Sequence, residues 1–270
     1  MYWTRSSLNE LIHTLNSCLC VGLDTDINKL PIGIQKSAEG ILHFNKEIID
    51  YTFNYTVAYK INAAFYEVLG GKGWDIMAET IEYVRKRNRF AILDAKRGDI
   101  GNTGDMYAKS AFVHLHADAV TVAPYMGKDS VMPFLNYNKN WTVLLGLTSN
   151  PGADDFQLKR MADGAFLYEE VIRKAMTWAD SDQLMFVTGA TRPEDLKKIR
   201  QIAPDYFLLI PGVGAQGGEL DSVMQASITK QGDILINASR SIIYASSKND
   251  FAIAAETEAH RMQVEMAKFI

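Results

Sequence analysis

The chain has 270 residues, 47% of them hydrophobic, and a formal net charge of −4. That length and apolar content suffice for a large core, and the slightly negative balance argues against bulk nucleic-acid binding. No run of about 18 apolar residues occurs, so no transmembrane helix or membrane partner is expected, and residues 1–7 lack a signal-peptide pattern, which points to a cytoplasmic protein.

In chain order, the first apolar run covers residues 18–23 and holds both cysteines, Cys18 and Cys20. Two positions on one face of one strand are poor disulfide partners, and no metal-ligand pair accompanies them, so both read as core residues. Residues 38–55 carry Ile41, Phe44, Ile48 and Ile49 at helical spacing, and residues 74–87 repeat that rhythm. Between and beyond them lie short apolar runs at 57–61, 90–93, 119–123, 142–147, 184–187, 207–210 and 234–236. A helix is expected over 103–116 with Thr103 as its cap, and another from Arg192-Pro193-Glu194-Asp195, where Pro sits in the first turn. A last helix spans about 250–268. Residues 149–164 form a long polar stretch, read as a structureless loop that closes over a site. No Pro/Gly/Ser-rich linker divides the chain. Eight apolar runs alternating with helices fit an α/β fold, a single (β/α)8 TIM barrel over residues 1–270.

The chemistry-bearing residues fall at the C-terminal ends of the expected strands, where barrel sites form. Asp24 follows the first strand, Lys60 and Asn62 end the second, and Ser149-Asn150-Pro151-Gly152 follows the fifth. The third gives Asp94-Ala95-Lys96-Arg97-Gly98-Asp99. Strand alternation puts Asp94 and Lys96 on one face, and Asp99 comes where the strand opens. Burying such charges is costly unless they pair; a surface cluster of ion pairs is the alternative. The segment 212–217 formally matches G-x-G-x-x-G, but it follows the seventh strand, and Asp233 starts the eighth, so neither fits a dinucleotide fold. The same glycines suit a phosphate, with Arg240 as its cationic fork. His114 and His116 read as an ordinary helix end rather than metal ligands.

The run Asp94–Thr103, with Lys96-Arg97-Gly98-Asp99-Ile100 and Thr103 four residues past Asp99, resembles the signature of the orotidine 5′-phosphate decarboxylase family, in a bacterial-type form, and the likeness extends over about 18–242. The resemblance implies decarboxylation of orotidine 5′-phosphate (OMP) to UMP by a tetrad of Lys60, Asp94, Lys96 and Asp99, with Lys96 acting at pyrimidine C6. It implies that Asp24 and Lys60 bind ribose hydroxyls and that Ser149 meets the pyrimidine amide edge. Gln216, Gly217 and Arg240 would serve the phosphate. No metal or organic cofactor is implied, and the assembly is a homodimer in which Asp99 and Thr103 complete the partner's site. Two other readings stand beside it. One is a phosphosugar decarboxylase, epimerase or aldolase on the same barrel. The other is a catalytically silent nucleotide sensor, for which a broken tetrad would be expected.

Overall fold

The computed structural model describes residues 2–189, 193–213 and 217–270. Eight parallel strands follow one another around a closed barrel: β1 (Leu19–Leu23), β2 (Ala58–Asn62), β3 (Phe90–Arg97), β4 (Ala119–Val122), β5 (Trp141–Leu147), β6 (Leu184–Thr188), β7 (Phe207–Pro211) and β8 (Ile234–Ala238), with β8 paired back to β1. The TIM barrel read from the sequence is therefore the fold. The strands are nearly continuous apolar runs because their inner faces fill the barrel and their outer faces lie under helices.

The helix Ala38–Thr52 shows how sequence sets the outer layer. Ser37 caps it by accepting the Gly40 N–H, and Ile41, Phe44, Ile48 and Ile49 are buried along one stripe. That stripe packs beside the helices Gly71–Lys86 and Phe251–Met266. Inside the barrel, Phe90, Trp141 and Phe207 open β3, β5 and β7, and their rings meet edge to face at 6.4 and 6.0 Å. Side chains from alternate strands can touch only across the interior, so these three form one layer of the barrel filling. Trp3 adds a fourth ring 6.2 Å from Phe90, and Trp141 Nε1 donates to the Trp3 carbonyl at 2.9 Å. The N-terminal segment thus plugs the bottom of the barrel.

Several local expectations are corrected. The helix expected over 103–116 runs Gly101–Lys109 and continues as a π-helical turn, Ser110–His114. Thr103 is its third residue, not its cap, because Gly101, at φ 55°, turns the chain into the helix earlier. His114 ends the π turn and His116, at φ 55°, leads out of it, so the pair does mark a helix end. Residues 149–164 are not structureless. They contain a 3-10 turn, Pro151–Asp155, and Arg160 bridges to Phe166. Pro193 opens the helix Pro193–Ile202 as expected, while Arg192 lies outside the described residues. Cys18 and Cys20 are fully buried, and burial pushes both thiols up, Cys20 to about 12.

Asp233 has a structural role at the barrel bottom. It is fully buried at φ 50°. Its carboxylate accepts from Arg5 Nε and Nη2 at 2.9 and 2.8 Å, from Asn9 Nδ2 at 2.9 Å and from Thr229 Oγ1 at 2.7 Å. Burial works against ionisation, but the bonds from Arg5, Asn9 and Thr229 hold the carboxyl below its ordinary range. Asp233→Asn tolerates the left-handed backbone but breaks the charge pair, and should destabilise the protein by about 3 kcal/mol in urea unfolding. A loss below about 1 kcal/mol, the scale of a surface pair, would refute this role.

Candidate active site

The C-terminal ends of the strands surround a cavity of about 760 Å³. Its floor is built around Asp94, near the end of β3. Asp94 Oδ2 accepts from Lys60 Nζ at 2.8 Å, and Oδ1 accepts from Lys96 Nζ at 2.6 Å and from Thr121 Oγ1 at 3.0 Å. The Lys60 and Asp94 side chains are 6% and 9% exposed, whereas Lys96 is 51% exposed. One ammonium is thus sunk beneath the acid and the other stands in open space. Burial would push the Asp94 carboxyl up, but Lys60 and then Lys96 overcome this and hold it at about 2. Burial would likewise lower the Lys60 ammonium, but Asp94 and Asp24 raise it above its ordinary value. Both groups are therefore charged at neutral pH.

Lys96 reaches Asp94 by a route that strand alternation does not describe. Pairing between β3 and β4 slips between Leu93 and Arg97, and Lys96 adopts φ 47°. A bulge of this kind re-aims a side chain next to a site. On the other flank, buried Asp24 Oδ1 is 3.5 Å from Lys60 Nζ, an ion pair with no formed hydrogen bond. It is a buried acceptor without a hydrogen-bond partner among the described residues.

Ser149 lines the cavity beyond β5. A Cβ at Gly189 would lie 2.8 Å from Ser149 N, so only glycine there permits this path. The neighbouring Thr148 is clamped by Gln157, whose side chain accepts its N–H at 2.7 Å and donates to its Oγ1 at 2.8 Å. Exposed Arg240 opens the short helix Arg240–Ile243 on the rim, beside Gly212 and Val213 from the loop after β7. Gln216 lies outside the described residues, and Gly217 is described only as the first residue of the helix Gly217–Ser227.

One subunit thus assembles Asp24, Lys60, Asp94, Lys96, Ser149 and Arg240. Asp99 and Thr103 do not join them, so the second acid does not converge with Asp94 and Lys96 within one chain. Asp99 Oδ1 accepts the Ile100 N–H at 2.8 Å, and Thr103 lines a separate hollow of about 440 Å³ with Arg97 and Tyr107. Asn62, Thr121 and Asn237 are among the polar cavity residues that were given no role from sequence. Asn62 and Asn237 obeyed the strand-end rule. Thr121 was hidden inside the apolar run of β4. Leu145, Val187 and Leu209 form an apolar wall. An apolar wall, a projecting ammonium and a cationic rim together suit a flat ring carrying anionic groups.

Residues 17–254 match the family model described as orotidine 5′-phosphate decarboxylase / HUMPS family. Among curated proteins, the chain is 54% identical to orotidine 5′-phosphate decarboxylase of Porphyromonas gingivalis over 265 residues, covering 97% of this chain and 96% of that one. The enzyme of the same name from Parabacteroides distasonis is 51% identical over 268 residues, covering 98% and 96%. Among solved structures, Leishmania donovani OMP decarboxylase superposes with a TM-score of 0.83 at 36% identity, covering 98% of this chain and 99% of that one.

The depressed Asp94 carboxyl has a signed consequence. Its folded value, about 2, lies below the ordinary carboxylate value. Its contribution to stability is therefore complete above about pH 4 and fades as pH falls toward 2, with about 2 kcal/mol at stake. Wild type should be more stable than Asp94→Asn in urea at pH 6, and the gap should narrow as pH falls from 4 to 2.5. A gap independent of pH would show that the carboxylate is not held ionised by Lys60 and Lys96.

Proposed function

The chain belongs to the orotidine 5′-phosphate decarboxylase / HUMPS family, and on that footing we propose that its 270 residues act as one barrel domain that converts OMP to UMP and CO2 in pyrimidine biosynthesis, without a metal. The observation that carries this reading is the half-exposed Lys96 ammonium held 2.6 Å from Asp94 Oδ1 inside the cavity. Breaking the bond from C6 to the carboxylate releases CO2 and leaves the electron pair in an in-plane orbital, which the pyrimidine ring cannot delocalise. A fixed cation beside C6 stabilises that developing charge. Lys96 is that cation, and it then gives a proton to C6 and regains one from water. Asp94 keeps the ammonium aimed, and Lys60 offsets the negative charge of Asp94.

Asp24 and Lys60, both lining the cavity, hold the ribose hydroxyls, and Ser149 meets the amide edge of the base. Gln216, Gly217 and Arg240 hold the phosphate, in the loops after β7 and β8 where barrels commonly bind this group. The phosphate does not react, but its binding energy can still be used to lower the barrier. Metal independence is supported by the donor set, because both carboxylates lining the cavity, Asp24 and Asp94, face the Lys60 ammonium. A shared site is supported by Asp99 and Thr103 lying outside the lining of their own cavity. Ile100, Met106 and Tyr107, on the same segment, are exposed apolar side chains that a second copy would cover.

The purified protein should form UMP from OMP in the presence of a chelator, which separates this reading from a metal-dependent phosphosugar enzyme and from a silent sensor. Lys96→Ala should lower turnover by about a thousandfold or more while calorimetry still shows UMP binding. Turnover within about tenfold of wild type would remove Lys96 from the chemistry.

The shared site has its own test. Lys96→Ala and Asp99→Ala proteins, each essentially inactive, are mixed and allowed to exchange subunits. About half the dimers become mixed, and one of the two sites in each then has both residues intact. Activity should recover to about a quarter of wild type if the sites act independently. No recovery, with exchange verified by mass spectrometry, would mean that Asp99 serves its own barrel.

A further inference from the structure

Thr121 lies in the middle of β4, is 1% exposed, and lines the cavity. Its hydroxyl makes two bonds, both to β3. It accepts the backbone N–H of Lys96 at 2.8 Å and donates to Asp94 Oδ1 at 3.0 Å. The single hydroxyl proton is therefore committed to Asp94 and is not available to a substrate.

The place where these bonds form is unusual. Lys96 is at φ 47°, a conformation that a side chain with a Cβ disfavours by about 1–2 kcal/mol. Ladder pairing between β3 and β4 is interrupted from Leu93 to Arg97, so no β4 carbonyl accepts the Lys96 N–H in the regular way. Thr121 supplies the missing acceptor. With the same oxygen it fixes the carboxylate oxygen that also receives Lys96 Nζ. The backbone origin of the Lys96 side chain and the anchor of its tip are thus tied to one atom. Strain of this sort persists only where the surroundings over-determine it, and the Thr121 hydroxyl is the group that does so here.

We propose that Thr121 is a positioning residue: its hydroxyl locks the bulged Lys96 backbone and the Asp94 carboxylate into one arrangement, and thereby sets where the Lys96 ammonium stands in the cavity. The inference rests on the reading that Lys96 acts at C6 of OMP. A valine of nearly the same shape would keep the packing and lose both bonds. A serine would keep both bonds and lose a methyl group.

The test compares wild type, Thr121→Val and Thr121→Ser by OMP kinetics and by NMR exchange of the Lys96 amide. In Thr121→Val the Lys96 amide should exchange at least about tenfold faster, and kcat should fall by about tenfold to a hundredfold, with KM for OMP within about threefold. Thr121→Ser should stay within about threefold of wild type in both readouts. Should Thr121→Val not fold, Thr121→Ala takes its place under the same criteria. Unchanged kcat in Thr121→Val, an equal loss in Thr121→Ser, or a loss carried by KM would each overturn the proposal. The amide measurement needs no substrate: wild-type protein inert toward OMP would sink the functional reading, and an unprotected Lys96 amide in wild type would sink the Thr121 lock.

Discussion

The structure is organised around one buried carboxylate held between two ammonium groups. Asp94 takes Lys60 on one oxygen and Lys96 on the other. Even at about 4 Å an ion pair near a protein surface is worth about 4 kcal/mol, while removing each charge from water costs several kcal/mol. These terms oppose each other, so the trio's net contribution is modest, about the 2 kcal/mol that the lowered Asp94 titration represents. What it supplies is a cation whose position is fixed before a ligand arrives. The barrel makes this possible because β2, β3 and β4 are adjacent strands, so that Lys60, Asp94 and Thr121 come from three neighbours and their side chains meet in the cavity.

The two ends of the barrel use charge differently. At the bottom, Arg200 donates to the carbonyls of Ala203, Tyr206, Ser227 and Asp233, and burial pushes it down to about 10. Asp118 accepts the Ala91 N–H at 3.0 Å and pairs with Arg85, and burial pushes its carboxyl up to about 6. Both are strongly perturbed, and neither lines the large cavity. A shifted titration is therefore no marker of function by itself. The bottom charges tie loops and strand starts together through hydrogen bonds and ion pairs, whereas at the top Asp24 Oδ1 lacks a hydrogen-bond partner among the described residues and Lys96 is an exposed donor. That difference in saturation, more than the size of any shift, separates a site from a staple.

The sequence made the barrel legible because each strand is an apolar run between helical rhythms, and it made most of the site legible because the polar residues collect just after those runs. Asp24, Lys60, Asp94, Lys96, Ser149 and Arg240 all come from that rule and all line the cavity. Two features escaped it, for physical reasons. The bulge at Lys96 is a tertiary event: nothing in Asp94-Ala95-Lys96 announces a left-handed residue, which depends on how β3 and β4 pair. Thr121 sits in an apolar run as a small β-branched residue, and its hydroxyl acquires meaning only from the bulge across the ladder. The cap misassigned to Thr103 has a similar origin, since a glycine at positive φ moved the helix start.

The bulge also bears on how the segment after β3 divides its residues. In a regular strand, successive side chains would keep alternating toward and away from the barrel axis, and the chain would leave along the strand direction. The left-handed turn at Lys96 ends that alternation while Arg97 is still paired with Val122. The next residues are carried outward over the rim, where Ala123 N–H bonds to the Arg97 carbonyl and Asp99 fastens to the Ile100 N–H. Asp94 and Lys96 therefore line the cavity of their own barrel, whereas Arg97 and Thr103 line the separate hollow, and the side chains of Ile100 and Met106 are exposed. In the shared-site reading, the same kink that aims Lys96 inward presents Asp99 to a second copy. Straightening it would cost both halves of the site together, which gives a physical reason for this chain to hold a lysine in a conformation it disfavours.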